Sequence, residues 1–300
     1  MPIVLATLLP DIALIALGGV MTRWTGRDLW RGIDRLNFGL LLPALLFVAA
    51  SRQQVTLAAL GAIGVAAWSL ILIGLALGAL RRPPPGKARL DFAGQWQTCY
   101  RQSTPLAFVA AAAFPPAVQG LIGVAVGAWV PFANFVAVMA LSRGSGLGVG
   151  RAVLRALTNP FFVTSLAGLA VAIGQIPVPD LLMRALHRLS DAAIPMALLS
   201  MGATMNWRAF AKPSMAELSL ISIKLIGLPC CALLIAVGFG LDPVQSAVLV
   251  LMAALPTAPT AHVLAASFGA DPRPTATIIA QGTVLAIVTL PIWMSIVLQM

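Results

Sequence analysis

Long apolar runs separated by short polar connections recur along almost the whole chain. A helix needs about 17–25 apolar residues to cross a hydrocarbon core ~30 Å thick. Ten runs reach or approach that length: residues 3–22, 36–51, 55–80, 95–114, 117–141, 159–175, 187–205, 213–239, 244–268 and 275–298. The second is short, and the fourth is interrupted by Arg101 and Gln102. The pattern predicts an all-α polytopic membrane protein with ten transmembrane helices.

Composition agrees. The 300 residues are 60% hydrophobic and 9% charged, where soluble domains carry about 25% charged residues. No soluble fold of this size buries so much apolar surface. The net charge of +10 does not point to nucleic acid, because the basic residues are scattered among connections and form no single patch. Connections after odd-numbered runs hold fourteen Lys or Arg, including Arg23, Arg27, Arg31, Arg35, Arg81, Arg82, Lys87 and Arg89. Those after even-numbered runs hold only Arg52, Arg184 and Arg188. The positive-inside rule then places odd connections in the cytoplasm and both termini outside. "RRPPPGKAR" and "SRGSGLGVG" read as flexible cytoplasmic linkers. Cys99, Cys230 and Cys231 lack metal-ligand spacing and read as packing residues. The first run lacks a basic leader and a cleavage site, so it reads as a retained span.

Prolines recur at matched places. Pro10 and Pro160 lie 150 residues apart, "PALLF" from Pro43 and "PMALL" from Pro195 lie 152 apart, and Pro105 and Pro256 lie 151 apart. The offsets predict a duplication of five runs, and an odd number of spans inverts the second copy across the membrane. Residues 1–141 form the first repeat, 142–158 a cytoplasmic linker, and 159–300 the second repeat. Chance alignment among 22 prolines is the competing explanation.

The fourth and ninth runs are expected to be broken. Proline inside a helix removes a backbone donor and clashes with the preceding turn, and irregular backbone at membrane depth is tolerated only beside a cavity or within protein. In "LPTAPTAHVLAASFGAD", Pro256 reads as the end of one half-helix and Pro259-Thr260 as the start of another, with its positive dipole end free to face an anion. A simple kink closed by Thr257 and Thr260 is the alternative. Ser103, Thr104 and Pro105 mark the matching break, and Thr257, Thr260, Ser103 and Thr104 are expected to share one polar cavity.

Other polar residues within the runs have two readings each. Lys224 meets a carboxylate near the midplane or snorkels to the interface. Arg101 faces substrate or anchors an interface, and Asn134, like Asn37 and Gln281, lines a path or bonds between helices. His262, Asp11 and Asp191 are candidates for a titrating or ion-coupling role, or are structural. No cofactor and no metal site are expected, although H+ or Na+ is a candidate coupling ion. No HExxH, GxSxG or Walker A segment supports an enzyme.

The segments "LPDIALIALGGVMTRW", "LNFGLLLPALLF", "NPFFVTSLAGL", "AAIPMALLSMGATM" and "LPTAPTAHVLAASFGAD" together resemble the auxin efflux carrier family, including its bacterial branch of malonate and dicarboxylate transporter-like proteins. The resemblance implies two inverted five-span repeats, with spans 1, 2, 6 and 7 as scaffold and spans 3–5 and 8–10 as a transport domain. It also implies small organic anions as substrates, elevator-type movement, a bacterial inner membrane location and room for a homodimer through the scaffold. Family members often carry Asn-Thr at the fourth-span break, where this chain has "RQSTP"; Ser103 offers one donor fewer and less reach. An anion-sensing receptor or a channel would leave a similar sequence signature.

Overall fold

The computed structural model describes residues 2–52, 57–81 and 88–300. Among them every regular element is helical. The chain opens with α1 (Pro2–Met21) and α2 (Arg27–Leu36), which continues through a π-helical turn (Asn37–Leu41) into α3 (Leu42–Ser51). Then come α4 (Leu57–Ala79), α5 (Ala88–Trp96), α6 (Thr104–Ala111) and the long α7 (Pro116–Gly144). The second half comprises α8 (Val149–Leu157), α9 (Pro160–Gly174), α10 (Asp180–Thr204), α11 (Trp207–Ala211) and α12 (Met215–Ser222). A π-helical turn (Ile223–Gly227) joins α12 to α13 (Leu228–Gly238), followed by α14 (Pro243–Ala254), α15 (Thr260–Ser267) and α16 (Pro272–Val297).

Among the described residues, four helical segments are long and apolar enough to cross a membrane: Asp28–Ser51, Pro116–Gly144, Met215–Gly238 and Pro272–Val297. Val149–Leu157 and Pro160–Gly174 together make a fifth, bent by 49°. Among the described residues, Leu8–Met21, Ile63–Ala79 and Pro243–Ala254 are further apolar helical stretches of 10–17 residues. This is an all-helical integral membrane protein.

Several predicted boundaries shift. The second run begins well before residue 36, because the charged segment from Arg27 onward is already helical. The predicted linker 142–158 holds the end of α7 and all of α8, whose arginines sit on a strongly two-faced helix. Arg184 and Arg188 belong to α10 and not to a loop. Most of "RRPPPGKAR", with Arg82 and Lys87, lies outside the described residues.

The paired prolines have unequal local effects. Pro10 and Pro195 sit inside continuous helices, Pro160 is the first residue of α9, and Pro43 follows a π-turn. The pair Pro105 and Pro256 alone marks interrupted helices. Pro229, just past the second π-turn, explains one further contact. Proline cannot donate to the carbonyl four residues back, and the Leu225 carbonyl so freed accepts the Trp293 indole N–H at 2.8 Å.

Two seams carry the tightest helix packing: α1 against α10, and α3 against α9. Small residues let backbones approach, which is how helices associate where lipid is as apolar as leucine. A Cβ on Gly18 would collide with the Leu199 carbonyl, and one on Gly202 with the Ile15 carbonyl. A Cβ on Gly168 would stand 2.6 Å from the Phe47 carbonyl oxygen and 2.8 Å from Ala50 Cβ. By contrast Gly120, in α7, has open space around it.

Gly18→Ala and Gly202→Ala are therefore expected to lower the melting temperature of the detergent-purified protein, with overpacking costing about 1–3 kcal/mol. Gly120→Ala is expected to leave it unchanged or raise it, since alanine is favoured over glycine inside a helix by up to ~1 kcal/mol.

Candidate functional site

Both predicted interruptions are present, and they meet. After α5 the chain makes a single 3₁₀ turn (Gln97–Cys99) and runs irregularly to Ser103, where α6 begins. Between α14 and α15 the chain is irregular from Leu255 to Pro259. Four hydrogen bonds tie one break to the other. The Ser103 N–H donates to the Pro256 carbonyl (2.9 Å), and the Thr257 hydroxyl donates to the Thr98 carbonyl (2.7 Å). Arg101 Nη2 donates to Thr260 Oγ1 (2.9 Å) and Gln97 Nε2 to the Ala261 carbonyl (3.0 Å). The Pro256 and Thr98 carbonyls, left without a helical ladder at the breaks, each find a donor on the opposite break, as a water-free interior requires.

Beside the crossing lies a cavity of about 420 Å³. Arg101, Gln102, Ser103, Thr104, Pro105, Asn134, Pro259 and Thr260 line it, with Arg52 and Ser190 and apolar residues of α3 and α7. The predicted cavity residues Ser103, Thr104 and Thr260 therefore come together, and Arg101 and Asn134 join them. Arg52 and Arg101 are the charged side chains of this lining, which contains no Asp or Glu. Arg101 is only 5% exposed, yet its Nε and Nη1 have no hydrogen-bond partner among the described residues. The eight-residue helices α6 and α15 begin at this lining, Thr104 and Thr260 being their first residues. Each adds the positive end of a helix dipole. A buried guanidinium, a second arginine and two like-signed helix ends form a positive site, and burial of a charge without a counter-charge is costly. What completes such a site chemically is an anion; a planar guanidinium fork suits a carboxylate.

Several expected residues lie elsewhere. Thr257 is buried behind the crossing, its hydroxyl spent on Thr98, so it does not line the cavity, and neither does Pro256. Lys224 neither snorkels nor faces the cavity. It is 2% exposed, and its ammonium donates to the Ala253 carbonyl at 2.9 Å. That carbonyl is among the unpaired ones ending α14, where a cation is favoured by both hydrogen bonding and the helix dipole. The first-turn N–H groups of Ala261 and His262 bond back to the Ala258 and Pro259 carbonyls, so α15 offers its dipole and the Thr260 hydroxyl in place of those donors. Asn134 turns its amide nitrogen to Ser165 Oγ (3.2 Å) on α9. Asp11 and Asp191 lie within α1 and α10 and line no described cavity. Gln281 and Asn37 bond between helices: Gln281 Nε2 donates to the Ala209 carbonyl (3.0 Å). The Asn37 amide, oriented with nitrogen toward Ala193, bridges that carbonyl and the Ala197 N–H.

A second cavity, about 1180 Å³, is lined by Arg31, Asp34, Thr204, Asp271, Arg273 and others. The two cavities approach the crossing from opposite ends of the same elements. In α10 the first takes Ser190 and Ile194 and the second Ala203 and Thr204; in α15 the first takes Thr260 and the second Ala266. From Arg31 to Arg52 the helix climbs roughly 30 Å at 1.5 Å per residue. In the larger cavity the charges are satisfied locally: Asp271 caps α16 and pairs with Arg273 at 2.7 Å, which holds its carboxyl below the usual carboxylate range.

Residues 149–294 match the family model described as Membrane transport protein. Over 94% of the chain, and 92% of the relative, the sequence is 30% identical to a protein of Rhizobium meliloti named "Putative malonate transporter". The chain belongs to the auxin efflux carrier family of membrane transport proteins. A second member, an "Uncharacterized transporter" of Methanothermobacter thermautotrophicus, is 32% identical over 51% of this chain and 50% of its own length. Arg52, Gln97 and Asp34 escaped the sequence reading. Arg52 and Asp34 fell in charged connections that read as surface loops. Gln97 sat one turn before the break, at a distance where helix phase alone decides which way a side chain points.

Thr257→Val keeps the shape of the crossing but leaves the Thr98 carbonyl without its donor. It is expected to lower stability by about 1–3 kcal/mol, read as a drop in melting temperature. Thr104→Val, on the cavity wall with no hydrogen bond from its hydroxyl, is expected to leave stability unchanged.

Proposed function

We propose that the protein moves a small organic anion, a mono- or dicarboxylate, across the bacterial inner membrane by alternating access around the crossing of residues 97–104 with 256–261. The observation that carries this reading is Arg101: buried, anchored to the opposite break through Thr260, with two guanidinium nitrogens unpartnered at a cavity free of carboxylates. Arg52 at the rim supplies a second positive charge, which suits a dianion such as the malonate in one relative's name. Ser103, Thr104 and Thr260 offer hydroxyls for orientation. Two cavities meeting one thin crossing from opposite ends support alternating access over a continuous pore.

The fold behind this is ten spans in two inverted repeats of five, residues 1–141 and 159–300. The glycine seams support it. Gly18 meets the carbonyl of Leu199, and Gly168 meets that of Phe47. Gly18 and Gly168 are 150 residues apart and Phe47 and Leu199 are 152 apart, the same offsets as the proline pairs in those spans. The contact of span 1 with span 7 therefore repeats as span 6 with span 2, as an inverted duplication requires. Spans 1, 2, 6 and 7 form a scaffold, with a face for a second copy, and spans 3–5 and 8–10 carry the crossing in an elevator movement. Both termini lie outside, so the Arg52 cavity opens outward and the Arg31 cavity inward.

Purified protein is expected to gain thermal stability on adding malonate, and Arg101→Gln to weaken that binding by about 2–5 kcal/mol, while Thr257→Val retains it. Binding by Arg101→Gln within twofold of the parent would overturn the site. Saturable uptake into proteoliposomes with counterflow separates a carrier from a channel, and binding without uptake would favour a receptor.

A further inference from the structure

His262 follows Thr260 by two residues in α15. Two helical steps of about 100° turn a side chain through roughly 200°, so the half-helix presents Thr260 to the anion cavity and His262 to the opposite side. There His262 is fully buried, with Nε2 3.8 Å from Asp34 Oδ2 and 3.4 Å from the Thr204 hydroxyl. Asp34, on α2, is also buried and accepts the Ser200 hydroxyl of α10 at 2.6 Å. Asp34 and Thr204 both line the larger cavity, which gives the pair a route to water.

Of the other charges near this contact, Arg35 of α2 is exposed and forms no ion pair among the described residues. On α2, Arg31 pairs with Asp28 (3.3 Å). At the start of α16, Arg273 pairs with Asp271, whose N–H is in turn held by Asp91 of α5 (2.7 Å). Glu217 caps α12 at Ser214, and Arg101 lies across α15, bonded to Thr260. At this contact α10 offers only the hydroxyls of Ser200 and Thr204. Among the described residues no lysine or arginine comes within ion-pair distance of Asp34. When protonated, His262 is the cation that pairs with a buried carboxylate otherwise expensive to leave alone.

We propose that His262 and Asp34 form a proton-binding site that couples anion movement to a proton, an inference that rests on the carrier reading above. A proton entering from water in the larger cavity is held between Nε2 and Oδ2. It makes the pair a contact of opposite charges and fastens α15 to α2 and α10. Loss of the proton leaves a bare carboxylate beside a neutral ring and frees α15, together with Thr260 and the Arg101 it holds, to shift against the α1–α10 seam. One half-helix therefore links the occupancy of the anion cavity to the protonation of the pair. The proton comes from water on one side and returns to water on the other, and no bond other than N–H or O–H is made or broken.

The test uses the full chain in proteoliposomes loaded with a pH-sensitive dye, with malonate as the probe. Malonate entry is expected to acidify the interior. Asp34→Asn, which keeps an acceptor for Ser200, and His262→Gln are each expected to slow acidification at least tenfold. Both should still bind malonate within twofold of the parent by thermal shift, and still exchange labelled for unlabelled malonate. Monodisperse elution from a sizing column qualifies either variant, and one suffices. Acidification by the variants at the parental rate would overturn the proposal, as would loss of malonate binding along with acidification. Parental exchange that proceeds without acidification, or follows a sodium gradient, would overturn the proton site and leave the carrier standing. If the parent neither binds nor exchanges malonate or any other carboxylate tried, the carrier reading falls and the proton site with it.

Discussion

Everything at the centre of this molecule depends on one requirement: backbone groups released where two helices break must find partners inside protein. Water is scarce at that depth, and an unpaired N–H or C=O costs several kcal/mol in hydrocarbon. The chain meets the requirement by laying one break across the other. Ser103 serves Pro256 and Thr257 serves Thr98, while Gln97 adds a bond to the Ala261 carbonyl in the first turn of α15. The arginine that completes the set, Arg101, reaches over to Thr260 and is left with donors to spare at a cavity wall. The positive site is thus a by-product of how the crossing is held together, and neither break could present it alone.

Around the crossing, other elements hold its loose ends. Lys224 donates to the Ala253 carbonyl in the last turn of α14, a use of a buried cation that explains its depth without any ligand. The indole of Trp129 donates to the Tyr100 carbonyl at 3.1 Å, inside the first break. Farther out, the glycine seams of α1 with α10 and α3 with α9 bring backbone against backbone. Such close seams leave little room for side-chain rearrangement, so they make these helix pairs stiff.

What could be read from the sequence follows from which forces are local. The breaks were legible because proline acts within its own helical turn, and Pro105 and Pro256 stand where those turns fail. Arg101, Ser103 and Thr104 followed from adjacency to a break. Thr257 and Lys224 were misplaced for a different reason: their depth could be counted along the chain, but the direction each faces depends on a neighbouring helix. Asp34 was missed because a charged segment looks like a loop when its apolar face is narrow, and α2 continues into the membrane run without a breaker residue. The offsets between prolines were visible in the sequence, although the close backbone contacts of those helices are made by glycines.

The placement of the two cavities has an electrical meaning. Residues from Arg31 to Arg52 span most of a membrane thickness, yet the cavities at either end leave only the crossing between them. With water in both, the low-dielectric layer shrinks to that crossing, and the membrane voltage falls across a few residues instead of across ~30 Å. One elementary charge carried through the full drop is worth about 2.3 kcal/mol per 100 mV. A shift of Arg101 by a few ångströms would then cross a sizeable share of the field. The positive guanidinium would set the sign with which a membrane voltage pulls on the crossing.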